Sequence, residues 1–268
     1  MQTDENTIER LKSILLEMLD VVDKICRENG ISYFLDSGTA LGAIRHGGFI
    51  PWDDDVDIGM LREDYDRFLS IAPKYLPPDL ILQNEQNEPT YYLFFSKLRK
   101  RNTRYPEYRK EKYFSERGFQ IDIFPFDYIG DDLEAAKKRF RRVELLRILA
   151  EQRMIAVPPE AKRKIPAYYL LKLLPREACR KTTEKAMREK NDTKKRYVAS
   201  YAYVAAKKKI CIFPTEAMTP VRDVEFEGRR YMIMHDPDCY LKLMYGDYMK
   251  LPPVEQRKYA HLGQEMVF

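Results

Sequence analysis

The most constraining feature of this sequence is a run of acidic residues that leads into a short apolar strand. Asp53, Asp54 and Asp55 are consecutive, and Asp57 follows after one valine. Because strand side chains alternate between two faces, Asp55 and Asp57 are predicted to share a face. Carboxylates this close repel one another, and one of them keeps its proton unless a positive charge compensates. A divalent cation is the simplest compensation, and carboxylate oxygens favour Mg²⁺ or Mn²⁺.

The acidic run also has some of the spacing of a calcium-binding loop. Asp53, Asp55, Asp57 and Asp64 match positions one, three, five and twelve of an EF-hand loop. However, Ile58 stands at the sixth position, where that loop requires glycine. The alternation of apolar residues around it favours a strand over the calcium-binding loop.

Upstream of the acids, the sequence predicts a buried strand, a tight turn and a short helix. Ser37-Gly38-Thr39 forms the turn, and the helix runs from Ala40 to about His46. Free amides and the positive dipole end at the start of a helix suit a phosphate group. The tripeptide is equally an ordinary helix-capping turn. Arg45 and His46 either complement the dipole at the helix end or face a substrate phosphate.

A later strand supplies a further candidate carboxylate. Residues 119–124 predict a strand in which Asp122 lies between two isoleucines. An acid inside an apolar strand costs free energy to bury unless it is paired or bound to metal. Asp122 is therefore predicted to join Asp55 and Asp57, with Asp127 as a spare candidate. A structural acid held by backbone amides is the alternative.

The predicted strand at 92–101 carries a row of cations. Lys97, Arg99 and Arg101 fall on one of its faces. Charged side chains are typical of an exposed edge strand, where they discourage pairing with another chain. In a nucleotide-binding enzyme the same row would hold a diphosphate, and Lys97 is the leading candidate for that contact.

Length and composition predict a globular protein with a basic helical region. The 268 residues are enough for one large domain, with or without a helical appendage. We expect a catalytic core with an amphipathic N-terminal helix at 1–135, a basic helical region at 136–210 and a closing segment at 211–268. The four cysteines lack paired or metal-binding spacing, so we expect reduced thiols. No leader peptide or membrane-spanning run is predicted.

The basic region contains one apolar stretch, IPAYYLLKLL at 165–174, which is bordered by lysine and arginine. A core helix with a solvated basic face is the default expectation. The alternative is docking on an anionic membrane surface. No nucleic-acid-binding module is recognisable, so nucleic acid is not an expected partner.

Three segments carry a family resemblance. LDSGTALGAIRHGGFIPWDDDVDIGM, which ends at Met60, resembles the signature of the LicD family of phosphocholine transferases and fukutin-related enzymes. GFQIDIFP at 118–125 and the segment from Tyr245 to Pro253 resemble further motifs of that family. The resemblance implies an α/β (α+β) fold of the nucleotidyltransferase (polymerase β-like) type with a mixed sheet.

The resemblance also implies an activity. Such an enzyme would use Mg²⁺ or Mn²⁺ to move a phospho-alcohol, phosphocholine first, from a CDP-linked donor such as CDP-choline. The acceptor would be a hydroxyl of a cell-surface glycan, such as a teichoic acid, lipopolysaccharide or capsule precursor. We expect a lipid-linked acceptor and a cytoplasmic enzyme at the inner face of the membrane, in peripheral contact with it.

The residues fall into two predicted groups. The catalytic residues and metal ligands are Asp55, Asp57 and Asp122. The substrate-binding residues are Ser37, Gly38, Thr39, Arg45, His46 and Lys97. A choline headgroup is best held by aromatic faces, for which Trp52, Tyr245 and Tyr248 are available.

Three other functions fit parts of the pattern. A nucleotidyltransferase that moves a nucleoside monophosphate to a small molecule would use the same motif geometry. A glycosyltransferase would use Asp55-Val56-Asp57 with a nucleotide sugar, although the Ser-Gly-Thr turn and Asp122 fit it less well. A scaffold protein without activity is disfavoured because all three acids are present.

Overall fold

The computed structural model describes residues 5–105, 111, 113–155, 157–202, 211–259 and 266–268. The helices are Glu5–Glu28 (α1), Ser37–His46 (α2), Arg62–Ile71 (α3), Leu133–Met154 (α4), Ile165–Leu171 (α5), Arg176–Arg188 (α6), Thr215–Met218 (α7) and Pro237–Tyr245 (α8). The strands are Phe34–Leu35 (β1), Val56–Leu61 (β2), Leu80–Gln83 (β3), Ser96–Lys100 (β4), Gln120–Gly130 (β5), Tyr197–Ala199 (β6), Phe213–Pro214 (β7), Arg222–Phe226 (β8) and Arg229–Ile233 (β9). The α+β fold class predicted from the sequence is confirmed.

The N-terminal helix follows its apolar pattern. Leu11, Leu15 and Leu19 recur at four-residue spacing and are fully buried against the sheet. After α1 ends, Gly30 adopts a φ of +60°, a left-handed conformation that glycine reaches without a steric penalty. The amphipathic N-terminal helix predicted from the sequence is confirmed and spans Glu5–Glu28.

One mixed sheet organises the molecule, with strands in the order β1-β2-β5-β4-β3. β5 lies at its centre, parallel to β2 and antiparallel to β4. The far half of β5 pairs with β6, which in turn pairs with β7. Strands of all three sequence regions therefore join one sheet around one hydrophobic core.

Two alternatives from the sequence are wrong. β4 lies between β5 and β3, so it is an interior strand and not an exposed edge strand. Its Lys97 and Arg99 are buried, at 2% exposure each. Residues 56–61 form β2, and Arg62 begins α3, so the proposed twelve-residue calcium loop does not form.

The C-terminal segment folds back over the start of the sheet. β8 and β9 form a hairpin whose turn, Glu227-Gly228, has positive φ at both positions, as a tight two-residue turn requires. β9 packs against β1, and α8 packs against α2. The last helix therefore lies beside the turn that was predicted to bind phosphate.

The basic region is built on α4. Asp132 caps α4, because its carboxylate accepts a hydrogen bond from the Ala135 amide at 2.7 Å. α6 packs along α4, and the short α5 sits near the end of α4. Within the described ranges, no helix is both long enough and apolar enough to cross a bilayer. The four cysteines are free thiols.

Candidate active site

The turn that starts α2 is tied to the acidic strand through the backbone. The amide of Asp36 donates to the carbonyl of Asp57 at 2.9 Å. The amide of Asp57 in turn donates to the Thr39 hydroxyl oxygen at 2.9 Å. Thr39 is 3% exposed, so this hydroxyl fixes the position of Asp57 relative to α2. Its predicted contact with the donor stays a prediction.

Tyr240 of α8 completes the same turn, and sequence reasoning missed it. Its hydroxyl donates to the carboxylate of Asp36, which is fully buried, and accepts a hydrogen bond from the Ser37 amide at 3.2 Å. Ser37 has a φ of +46°, which is rare for a residue with a side chain and is held here by these contacts. Tyr240 therefore positions Ser37.

Gly38 gives a carboxylate close access to the start of α2. A Cβ at this position would lie 2.7 Å from Oδ2 of Asp53, so the space beside the glycine holds that carboxylate. The positive end of the helix dipole favours such a negative group. The first turn of α2 therefore faces the Asp53 carboxylate, and the predicted use of Ser37, Gly38 and Thr39 at a phosphate stays a prediction.

Five carboxylates meet next to this turn, and we call Asp53, Asp54, Asp55, Asp57 and Asp122 the acidic cluster. One oxygen from each of Asp53, Asp54 and Asp55 lies within 4.8 Å of the others. Asp57 of β2 and Asp122 of β5 are register partners in the parallel strand pair. Asp53 and Asp54 were not among the predicted ligands, although their place in the acidic run was visible.

The cluster carries unfavourable negative charge. Burial raises the pKa of Asp57 well above its ordinary value, and the carboxylates of Asp55 and Asp122 raise it further. Burial also raises the pKa of the Tyr245 hydroxyl, and the charges of Asp36 and Asp57 add to the effect. The raised pKa of Tyr245 indicates that its hydroxyl lies in the field of the same acids.

Lys97 supplies a positive charge at one edge of the cluster. It is the register partner of Asp122 in the antiparallel pair β4–β5. Its ammonium donates to both oxygens of Asp122, at 2.9 and 3.1 Å, and lies 3.8 Å from Glu111. Arg99 pairs with Glu111 at 2.9 Å in the same buried network. The structure thus shows Lys97 as the partner of Asp122, and its contact with a donor stays a prediction.

The spare candidate Asp127 has a structural role. Both of its oxygens accept hydrogen bonds from the Arg62 guanidinium, at 2.8 and 2.7 Å, and Asn191 donates to one of them at 2.5 Å. The carboxylate is fully buried. Because its acceptor positions are used within the protein, Asp127 is wrong as a third ligand in place of Asp122.

Arg45 and His46 lie at the rim and contact the C-terminal segment. The Arg45 guanidinium donates to the carbonyl of Tyr248 at 2.7 Å. The His46 ring meets Trp52 edge to face, with centroids 6.3 Å apart, and Arg257 lies over the Trp52 ring at 5.3 Å. Burial lowers the pKa of both Arg45 and His46. Their predicted contacts with substrate stay predictions.

The donor set fits a divalent cation. Carboxylate oxygens are the ligands that Mg²⁺ and Mn²⁺ prefer, and Asp53, Asp54 and Asp55 each present one within 4.8 Å of the other two. Burial and then the charges of Asp55 and Asp122 raise the pKa of Asp57, and a bound cation would act in the opposite direction. Asp55, Asp57 and Asp122 are the predicted ligands, and Asp53 and Asp54 lie close enough to contribute.

Comparisons with known proteins identify a matching family model and similar proteins. Residues 30–144 match the family model described as LicD/FKTN/FKRP, nucleotidyltransferase domain. The chain is 26% identical over 269 residues to the lipopolysaccharide cholinephosphotransferase LicD of Haemophilus influenzae. The aligned region covers 97% of this chain and 98% of that protein.

Shorter matches fall on two transferases of animals. Human ribitol 5-phosphate transferase FKRP is 57% identical over 35 residues, which are 13% of this chain and 7% of that protein. Mouse ribitol-5-phosphate transferase FKTN is 36% identical over 64 residues, which are 23% of this chain and 14% of that protein. The matched family region contains the acidic cluster, Lys97 and the turn at Ser37, whereas Tyr240 lies outside it.

Proposed function

We propose, from the premise that residues 30–144 form a nucleotidyltransferase domain of the LicD/FKTN/FKRP family, that this chain transfers a phospho-alcohol from a CDP-linked donor to a glycan hydroxyl. Phosphocholine is the first candidate, because the relative similar along the whole chain is a lipopolysaccharide cholinephosphotransferase. The acceptor would be a lipid-linked precursor of lipopolysaccharide, teichoic acid or capsule, met at the cytoplasmic face of the membrane.

One observation carries the proposal. The parallel pairing of β2 with β5 sets Asp57 beside Asp122, in the field of Asp55, and the Asp57 amide bonds to Thr39 in the first turn of α2. This arrangement offers both oxygen ligands for Mg²⁺ and a helix start for a phosphate. A donor diphosphate needs both, because its charge must be neutralised while the phosphorus is held in line for attack.

The chemistry follows from the residues present. When bound, the ion would neutralise the diphosphate and stabilise the oxygens that enter and leave. The Ser37 hydroxyl and the Gly38 amide would hold a donor phosphate, and Lys97 would keep Asp122 in place. The glycan oxygen attacks the phosphorus that carries the alcohol, and the bond from that phosphorus to the oxygen of CMP breaks. CMP leaves, and the hydroxyl proton would pass to a carboxylate of the acidic cluster, Asp122 first, because it lies on β5, apart from the other four acids.

Product analysis by mass spectrometry tests this function. The purified chain would be incubated with Mg²⁺, a glycan acceptor and a panel of CDP-alcohols, CTP and nucleotide sugars, with EDTA as control. We expect CMP and a phospho-alcohol adduct of the glycan from one CDP-alcohol, abolished by EDTA. Pyrophosphate from CTP would show a nucleotidyltransferase, and a nucleoside diphosphate from a sugar donor would show a glycosyltransferase.

A matched pair of variants ties the activity to the cluster. Asp57→Asn keeps the shape of the side chain but removes its charge, so turnover should fall by at least about a thousandfold. Asp192→Asn makes the same change at an exposed site and should leave turnover unchanged. Full activity of Asp57→Asn would remove the proposed role of the acidic cluster.

A further inference from the structure

The short helix α5 and the residues after it expose an unusual amount of apolar surface. The exposed fractions are 59% for Tyr169, 68% for Leu170, 78% for Leu173 and 47% for Leu174. Tyr168 is the buried side chain of this helix. The sequence predicted a core helix here, and the structure contradicts that prediction, because most of the apolar residues point away from the core.

The neighbouring helix α4 adds three more apolar side chains. Leu145, Ile148 and Leu149 are 58%, 38% and 43% exposed, and their spacing of three and four residues places them on one side of α4. The buried side of α4, which includes Phe140, Val143 and Ala150, faces the opposite direction.

The two exposed surfaces are joined. Arg153 of α4 follows Leu149 by one turn, and its guanidinium donates to the carbonyl of Leu174 at 2.5 Å. The ammonium of Lys172 donates to the carbonyls of Arg153 and Ile155, each at 2.6 Å. The end of α4 and the segment after α5 are therefore fastened together. We call the seven exposed apolar residues the α4–α5 patch: Leu145, Ile148, Leu149, Tyr169, Leu170, Leu173 and Leu174.

The charge around this patch has one sign along α5. Residues 161–176 contain five lysines and arginines and no acidic residue. Arg163 and Lys164 are exposed just before α5. On α4, Arg141 and Arg142 precede Leu145 by four and three residues, so they continue the same stripe as exposed cations.

We propose that the α4–α5 patch binds the surface of an anionic lipid bilayer. Apolar and aromatic side chains surrounded by lysine and arginine are typical of protein faces that lie in the boundary between headgroups and acyl chains. Each cation near an anionic leaflet adds to the affinity, and the apolar side chains enter the boundary layer. Five cations against two acids stand at 160–177, so a second copy of this patch would bring surplus positive charge against positive charge.

Binding of the α4–α5 patch to a bilayer does not depend on which group the chain transfers. It adds to the proposed function a way of keeping the enzyme at the surface where a lipid-linked acceptor is found. Arg176, at the edge of the patch, donates to the carbonyl of Tyr91 at 3.1 Å. The Tyr91 hydroxyl donates to the carbonyl of Phe95 at 2.9 Å, one residue before β4, the strand that carries Lys97.

Vesicle co-sedimentation tests the proposal. The full chain would be mixed with vesicles of phosphatidylcholine alone or of phosphatidylcholine and phosphatidylglycerol in equal parts, at low and high salt. We expect binding to the anionic vesicles, weakened by salt because the charges are screened. Binding that is equal for both vesicles, or absent from both, would overturn the proposal.

Two matched pairs of variants test whether the α4–α5 patch is the surface that contacts the vesicles. Tyr169→Ser/Leu174→Ser should bind about tenfold more weakly, because two apolar side chains no longer enter the boundary layer. Tyr75→Ser/Leu251→Ser removes side chains that are 57% and 44% exposed elsewhere, against 59% and 47% in the patch, and should bind like the parent chain.

The charge pair follows the same design. Arg163→Gln/Lys164→Gln should lower the affinity for anionic vesicles about fivefold per cation. Arg222→Gln/Arg230→Gln removes two exposed cations of the β8–β9 hairpin and should lower that affinity less. Thermal unfolding of each variant checks that it is folded. If Tyr169→Ser/Leu174→Ser instead converts a dimer to a monomer in light scattering, the patch is an interface between copies and the proposal fails.

Discussion

Tyr240→Phe isolates one hydroxyl that joins the last helix to the start of the site. The substitution removes the hydrogen bond to the Asp36 carboxylate and the acceptor for the Ser37 amide. The ring stays, including its stacking on Phe213 at a centroid distance of 4.7 Å. Any loss therefore reports the hydroxyl and not the packing of the core.

The expected cost can be worked out from these contacts. A hydrogen bond to a charged group contributes about 1.5–3 kcal/mol, and one between neutral groups contributes about 0.5–1.5 kcal/mol. Asp36 is fully buried, so water does not readily replace the lost donor. We expect Tyr240→Phe to lower the free energy of unfolding by about 2–4 kcal/mol. Ser37 would also lose part of what holds its positive φ, so donor binding should weaken.

Urea unfolding and initial-rate kinetics measure the two effects. Tyr231→Phe is the matched control, because it removes a bond of 2.7 Å from a tyrosine to Asp20. Asp20 is 48% exposed, so water can replace that bond and the cost should stay below about 1 kcal/mol. Tyr240→Phe with parental stability and parental kcat/KM would refute the role that we assign to the hydroxyl.

Three further predictions concern charge and packing. Mg²⁺ should raise the Tm by a few degrees, and EDTA should reverse the rise, because a ligand at about 100 times its Kd adds about 2.7 kcal/mol to the free energy of unfolding. An unchanged Tm in differential scanning calorimetry would contradict a metal site. Lys97→Met should lower the free energy of unfolding, measured in urea, by about 3 kcal/mol, because it leaves Asp122 without its cation. The double variant Lys97→Met/Asp122→Asn should regain part of that free energy. Gly118→Ala should cost about 1–3 kcal/mol in the same assay, since its Cβ would lie 1.8 Å from the carbonyl oxygen of Lys100; a parental urea midpoint would contradict this packing.

Local patterns predicted the elements that carry their own signal. The amphipathic pattern of the N-terminal helix depends on a few neighbouring residues, and the helix is confirmed as α1. Alternation predicted the strand that carries Asp57. These features need no knowledge of which strand lies beside which.

Features that depend on strand order were not predictable in this way. The row Lys97, Arg99 and Arg101 suits an edge strand or an interior one, and only the position of β4 between β5 and β3 decides. The same register brings Lys97 opposite Asp122. The bond of Tyr240 to Asp36 joins distant segments, and among the tyrosines of the chain nothing local marks this one.

The bond between Asp36 and Tyr240 also bears on how the enzyme is made. A ribosome that adds about 5–20 residues per second needs roughly 10–40 s to synthesise the chain between these two positions. The acidic strand therefore emerges well before the helix that completes the turn beside it. A nascent chain has its carboxylates in place but lacks the hydroxyl that fixes Ser37. The conformation of Ser37 is thereby fixed only after α8 has been synthesised.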